Sequence, residues 1–329
     1  MPVKKVCLVG LLSFLLLLTC CAPTSIIAVN PDPAAPGLLE KSFISHDGVE
    51  LPMRVWLPPA GIDNARYIFI AVHGFNDYAN FIQRGAHYFS LRQIAVYAYD
   101  QRGFGRAPVR GRWSSTEVMV RDLKTLIRLV AAEHPDLPIF LLGHSMGGAV
   151  VLLAIADENH PEVAGAILAA PAVWAGVTMP FYQNGVLWVA AHTIPWYRVT
   201  GEILERKASD NIEMLREQSR DPLVIKKTRI DVLYGLQNLM DEAYSAADSY
   251  HLRTLLLYGR HDEIIPAEPV MDVFHRFPGD QKELILYEHG YHMLLRDLQA
   301  EKVMKDIVTW VNNRETAGSR LHSTDGGKK

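Results

Sequence analysis

A chain of 329 residues, 49% hydrophobic and 21% charged, can bury one large core, and its composition is neither that of a disordered chain nor that of a membrane-spanning one. Its formal net charge of -3, with no basic stripe, leaves no electrostatic footprint for nucleic acid. The three cysteines, Cys7, Cys20 and Cys21, all stand near the N-terminus, so the globular part has no thiol for a disulfide, a thiolate nucleophile or a cysteine-based metal site.

The N-terminus reads as an address. Lys4 and Lys5 precede a run of mostly Leu and Val over residues 6–18, the charged and apolar regions of a secretory signal, shorter than the ~20 residues of a membrane span. Its end, Leu17-Leu18-Thr19-Cys20-Cys21-Ala22, resembles a bacterial lipoprotein signal, which implies a lipid on Cys21, with Leu18 three residues before it, or on Cys20, with Leu17 there. Neither cysteine follows the usual Gly or Ala, and both remain open. Simple secretion, by cleavage after Ala22, is the alternative. Residues 1–21 are thus the signal. Residues 22–40, with Pro23, Pro31, Pro33 and Pro36, are a semi-extended tether of at most ~3.1 Å per residue.

Residues 43–45 and 53–57 flank His46-Asp47-Gly48, a turn between two apolar runs, and form a hairpin. Tyr67–Val72 is an apolar strand that delivers His73-Gly74-Phe75-Asn76, the place for an oxyanion donor after an early central strand, here the Phe75 amide. His73 itself is expected to pack under that loop. Ile94–Tyr99 is another buried strand. The Gly103-Phe104-Gly105 turn after it lacks the third glycine of a dinucleotide loop, since Pro108 stands there. Residues 115–132 show helical spacing through Val118, Leu123, Leu126, Ile127 and Val130. Strand and helix in alternation predict a mostly parallel sheet with helices on both faces, an α/β fold.

Residues 139–142 are a buried strand that runs into Gly143-His144-Ser145-Met146-Gly147 and an apolar helix over 149–156. This is the Gly-x-Ser-x-Gly nucleophile elbow, in which a strained turn lifts the Ser145 hydroxyl above the sheet and the helix N-terminus faces any anion formed there. Met146 then offers the second oxyanion amide. Residues 166–170 are one more strand.

Over 172–247 the alternation stops, and Trp174, Phe181, Trp188 and Trp196 stand among other large apolar residues at its start. The pattern suggests a helical cap insertion whose aromatic residues line an apolar channel or meet a lipid surface. Strands at 254–258 and 283–287 deliver Asp262-Glu263 and His289-Gly290-Tyr291-His292 to the same edge as the elbow. Asp262 is preferred to Glu263 as the shorter side chain where the loop first clears the strand. His292 is preferred to His289 because Gly290 allows a turn back over the serine. A serine hydroxyl needs a base, and the base needs a carboxylate to orient it. No zinc-ligand spacing occurs, so neither metal nor cofactor is expected. Residues 41–171 and 248–315 form the core, and 316–329 a polar, disordered tail.

With Gly-His-Ser-Met-Gly-Gly, His-Gly-Phe, Gly-Arg-His-Asp and Gly-Tyr-His in this order, the chain resembles the monoacylglycerol lipase and lysophospholipase branch of the α/β-hydrolases, a serine aminopeptidase S33-like family. The resemblance implies Ser145 as nucleophile, Asp262 as acid, His292 as base and the Phe75 and Met146 amides as oxyanion hole. It departs at Ala107, where the family commonly has a serine. The expected function is ester hydrolysis of a small single-chain lipid at a membrane, through an acyl-enzyme. The alternatives are a short-peptide aminopeptidase of the same fold and a non-catalytic envelope binding lipoprotein.

Overall fold

In the computed structural model, which describes Ser25 and residues 34–157, 159–174, 176–200 and 206–322 (314–322 by backbone alone), the chain opens with three short strands. These are β1 (Gly37–Leu38), β2 (Ser42–Ile44) and β3 (Glu50–Trp56), of which β2 and β3 form the expected antiparallel hairpin. Alternation follows: β4 (Tyr67–Val72), α1 (Gln83–Ser90), β5 (Ile94–Tyr99), α2 (Thr116–Glu133), β6 (Ile139–His144), α3 (Met146–Ala156) and β7 (Gly165–Ala169). Between β7 and the next strand of the main sheet lie α4 (Phe181–Thr193), β8 (Arg198–Thr200), α5 (Ile212–Arg220), β9 (Lys227–Arg229) and α6 (Ile230–Ser245). The chain then completes β10 (Thr254–Gly259), α7 (Ala267–Arg276), β11 (Lys282–Tyr287) and α8 (Ala300–His322).

The main sheet has nine strands in the order β1-β2-β3-β5-β4-β6-β7-β10-β11, parallel from β5 through β11. Period-2 patterning explains its two covered faces. In β4, Ile68, Ile70 and Val72 join Leu123 of α2 and Val150 of α3 in one core. Tyr67, Phe69 and Ala71 join Phe89 of α1 and Trp310 of α8 in the other. Each fully buried Val, Leu, Ile or Phe among them contributes roughly 1.5–3 kcal/mol. Ser115 caps α2, its hydroxyl accepting from the Val118 amide at 3.1 Å. Because the strands are parallel, β4, β6, β10 and β11 end on one edge, and the turns there carry Phe75, Ser145, Asp262 and His292.

The stretch between β7 and β10 is not one layer. α6 buries Val232, Leu239, Met240 and Ala243 in the same core as α3, so its inner face belongs to the hydrolase body, while α4 and the antiparallel pair β8–β9 stand outside it. At the C-terminus α8 runs through His322, past residue 315, after which the disordered tail was expected: Glu315, Ala317 and Arg320 are good helix formers that carry it on. No helix among the described residues is long and apolar enough to cross a membrane. The signal, with Cys20 and Cys21, lies outside the described residues.

Candidate active site

Where β6 runs into α3, Ser145 takes φ 52 and ψ -117, a conformation a side-chain-bearing residue rarely holds. Packing over-determines it. A Cβ on Gly147 would meet the Val72 carbonyl oxygen at 2.1 Å, and one on Gly143 would meet the Gly147 oxygen at 2.6 Å, so strand and helix pass at backbone distance. The Ser145 amide donates to Ala169 O at 3.0 Å and its carbonyl accepts from Ala172 N at 2.9 Å, which ties the turn to β7. The Met146 amide, first of α3, is one of those a helix leaves without an intrahelical partner.

The loops after β10 and β11 meet beside this turn. His292 Nδ1 lies 2.8 Å from Asp262 Oδ2, with Asp262 fully enclosed and only 5% of the imidazole open. Asp262 Oδ1 accepts from the amides of Ile264 at 2.8 Å and Ile265 at 3.0 Å, which fixes the carboxylate in the plane the ring needs. Glu263 instead accepts from the Lys207 amide at 2.7 Å, and His289 stacks with His261 at 6.4 Å, away from the pair. Gly290 serves a different purpose from the expected one. Its φ is outside the left-handed region; what it permits is contact, since a Cβ on Gly259 would meet the Gly290 carbonyl carbon at 2.5 Å. The two loops touch at these glycines.

His144, beside the serine in the motif, is the residue sequence reasoning passed over. It is buried, its ring centre is 5.1 Å from that of His292, and its Nε2 donates to the His292 carbonyl at 3.1 Å. Since a carbonyl only accepts, the proton sits on Nε2, and Nδ1 is left without a partner among the described residues. Burial, then the nearby His292 and Arg296, holds its pKa well below the ordinary histidine value, so it stays neutral. Position in the motif was the only signal for it.

The loop after β4 supplies the other half. His73 Nε2 accepts from the Gln101 amide at 3.0 Å, so Nδ1 carries the proton and donates to Gly74 O at 2.8 Å. Burial lowers the His73 pKa and keeps this neutral tautomer. Gly74 O also accepts from the Asp77 amide at 3.3 Å. Fixing that carbonyl fixes the trans peptide whose opposite edge is the Phe75 N–H. A Cβ on Gly74 would lie 3.3 Å from Ser145 Cβ, so the loop abuts the serine.

The segment between β7 and β10 grips this loop, which no sequence pattern indicated. Asn76, at φ 62, donates from Nδ2 to Thr228 Oγ1 at 2.7 Å, and its carbonyl accepts from the Ile225 amide at 2.9 Å. Tyr78 donates to Asp221 at 2.7 Å. Asp77 is paired with Arg296, four residues beyond His292, and accepts from Gln218 of α5 at 3.3 Å. A cavity of about 670 Å³ adjoins the site through Asp77 and Arg296 but is lined by neither Ser145 nor His292.

The expected aromatic lining is not where sequence placed it. Trp174 is half-buried against the core. Phe181, Trp188 and Trp196 leave 87%, 45% and 56% of their surface open, too much for the walls of a pocket that would enclose most of its ligand. They stand on an outer face because α4 packs on α6 through other positions, among them Asn184. Among the described residues one trio, His46, Asp47 and Asp122, has metal-ligand proximity. The buried Arg102 guanidinium takes both carboxylates, at 2.7 Å from each, and supplies the positive charge a cation would bring.

Comparison with known proteins agrees with this geometry. The profile of the serine aminopeptidase S33 family matches residues 63–299. The chain belongs to that family of hydrolases. It is 30% identical to monoglyceride lipase of Rattus norvegicus over 84% of this chain and 92% of that enzyme. It is 27% identical to monoacylglycerol lipase of Mycolicibacterium smegmatis over 83% of this chain and 96% of that one. Among solved structures, a soluble variant of monoglyceride lipase from Saccharomyces cerevisiae in complex with a substrate analogue superposes with a TM-score of 0.71 at 19% identity, covering 87% of this chain and 99% of that one. The fold of this family member is therefore the α/β-hydrolase fold.

Proposed function

We propose that the protein is a serine hydrolase that cleaves the ester bond of monoacylglycerols or of similar single-chain lipids. The observation that carries this reading is the junction of three loops at one sheet edge: the strained Ser145 turn, the enclosed Asp262–His292 pair and the peptide anchored by His73. Its likeness to monoglyceride lipases along most of its length supports the substrate class. In this reading Ser145 Oγ attacks the ester carbonyl carbon and gives its proton to His292 Nε2, while Asp262 steadies the imidazolium. The amides of Phe75 and Met146 receive the oxyanion. Collapse of the tetrahedral intermediate breaks the ester bond, and the departing alcohol takes the proton from His292. Water then attacks the acyl-enzyme with His292 again as base, releasing the acid.

The description of the family favours a second reading, a short-peptide aminopeptidase, since the same groups can cleave an amide. A panel of monoacylglycerols, lysophospholipids and aminoacyl amides decides. Turnover of the lipids and not of the amides is expected, and it should fall by several orders of magnitude in Ser145→Ala with the fold unchanged by circular dichroism. Preference for the amides would replace the lipase reading. No labelling by a fluorophosphonate probe would leave a non-catalytic envelope lipoprotein.

The same reading places the enzyme on a cell-envelope membrane, held by a lipid on Cys21 or Cys20 through the proline-containing tether, with residues between β7 and β10 acting as a cap. Palmitate fed to expressing cells should label the protein, and joint replacement of Cys20 and Cys21 should remove the label. An unlabelled, soluble wild type would leave secretion.

A further inference from the structure

Asp262 orients the His292 ring and His144 holds its carbonyl, but neither holds the chain that leads into it. The Gly290–Tyr291 peptide, just before the base, is fixed at both edges. Its carbonyl accepts from the His261 amide at 2.9 Å, and its N–H donates to Asp297 Oδ2 at 2.8 Å. A second buried carboxylate therefore serves this loop. Reaching back six residues to an amide would by itself only close a turn.

The other oxygen of Asp297 ties that turn to a distant segment. Ser209, fully buried, donates from Oγ to Asp297 Oδ1 at 2.6 Å and accepts from the Asn211 amide at 3.1 Å, which leaves the hydroxyl proton for the carboxylate. Ser209 lies just before α5, in the stretch inserted between β7 and β10, and its neighbours follow the same loop. The Met293 amide donates to Ala208 O at 3.0 Å, and Asn211 Nδ2 donates to Arg296 O at 2.9 Å. Among the described residues no Lys or Arg pairs with Asp297, since the adjacent Arg296 turns to Asp77. Burial pushes its carboxyl pKa up, while the charge of His292 pulls the other way. A buried carboxylate without a cationic partner is costly to the fold, and what it obtains here is a fixed peptide beside the base.

We propose that Asp297 is a positioning residue for the base: through the Tyr291 amide it sets where the His292 imidazole stands over Ser145, and Ser209 makes that placement depend on the inserted segment. This deepens the reading of His292 as base and rests on it. His292 must take the Ser145 proton and later give it to the leaving alcohol, so its Nε2 has to stay within hydrogen-bond reach of both. A misplacement of about 1 Å at such a group costs on the order of 100-fold in rate.

The measurement is kcat on a soluble butyrate ester, counted per active site titrated to completion with a fluorophosphonate, so that unfolded protein does not enter. Asp297→Ala should lower it about 10- to 100-fold with KM changed less than about threefold. Asp297→Asn should return it to within about threefold of the parent, because the amide oxygen accepts from Tyr291 and the amide nitrogen donates to Ser209. Ser209→Ala, which keeps the Tyr291 bond, should cost about three- to tenfold. Parent kcat per titrated site in Asp297→Ala, however much less stable, overturns the proposal and leaves Asp297 as the closure of a turn. An Asp297→Asn as impaired as Asp297→Ala overturns it too, because charge on the imidazolium and not a held peptide would be the cause. Should Asp297→Ala not fold, parent kcat in Ser209→Ala overturns it. A parent that neither turns over the ester nor reacts with the fluorophosphonate removes the hydrolase reading and this proposal with it, a result distinct from an unimpaired variant of an active parent.

Discussion

Strands β4, β6 and β10 have no exposed residue, whereas α4, inserted after β7, turns Phe181, Val186 and Val189 to solvent. The two regions also hold their functional parts differently. At the sheet edge, the position of Ser145 is set by backbone against backbone, with Gly143, Gly147 and Val72 at distances that admit no added atom. In the segment between β7 and β10, contact with the loop after β4 runs mostly through polar side chains, Thr228, Asp221 and Gln218, beside one backbone bond from the Ile225 amide to the Asn76 carbonyl. Backbone packing is all-or-none, while side-chain hydrogen bonds can be removed singly. Damage to the first should cost the fold, and damage to the second should cost rate.

The largest expected effect away from Ser145 tests the Asp262–His292 pair. Asp262→Asn should lower kcat by up to about 10⁴, the magnitude known for the analogous change in a serine protease, with thermal stability little altered. Glu263→Gln should leave kcat within a factor of about two, because Glu263 meets the Lys207 amide and not the imidazole. Steady-state kinetics on a soluble ester reads both. If Glu263→Gln were the damaging change, the acid is misassigned.

Gly147→Ala strikes the backbone contact itself. Its Cβ would collide with Val72 O, an atom that cannot move without breaking β4. A loss of roughly 3 kcal/mol or more in unfolding free energy is expected, read from urea denaturation. A variant as stable as the parent would mean that the elbow is looser than this packing requires.

Thr228→Val makes the contrasting lesion. It removes the acceptor for Asn76 Nδ2, whose Oδ1 already lacks a partner among the described residues. Without it the left-handed Asn76 and the adjoining Phe75 amide lose their brace. kcat should fall about tenfold with KM changed less, because the Phe75 amide is proposed to act on the transition state. A change confined to KM would assign Thr228 to substrate binding.

A pH dependence of stability tests the buried histidines beside the site. His73 and His144 have pKa values lowered by burial, so the unfolded chain binds more protons than the folded one below the ordinary histidine value of 6.5. Stability from each is therefore complete above about pH 6.5 and lost as the pH falls below it, at up to about 1.4 kcal/mol per unit for each group. Thermal unfolding from pH 7.5 down to 5 should show this slope, and His144→Gln should reduce it by one proton's share. An unchanged slope would mean that His144 is already charged in the folded protein.

The strands from β2 onward in the main sheet, helices α2 and α3 and the positions of Ser145, Asp262 and His292 were legible in the residue order, whereas α1, α7 and α8 were not read from it. Buried strands need apolar runs at nearly every position, a serine elbow needs its flanking glycines, and parallel strands must deliver their loops to one edge. Those are local requirements, each written within a few neighbouring residues. The roles of His144 and Gly290, the grip of Thr228 on Asn76 and the outward turn of Trp188 and Trp196 were not legible. Each depends on which surface meets which across long sequence separations: Asn76 finds Thr228 152 residues away, and His144 finds the His292 carbonyl 148 residues away. An aromatic residue on α4 reads the same in sequence whether it lines a channel or faces outward. Its direction is decided when α6 buries Val232 and Leu239 against α3 and takes Asn184 as its contact, leaving the other side of α4 without a neighbour among the described residues.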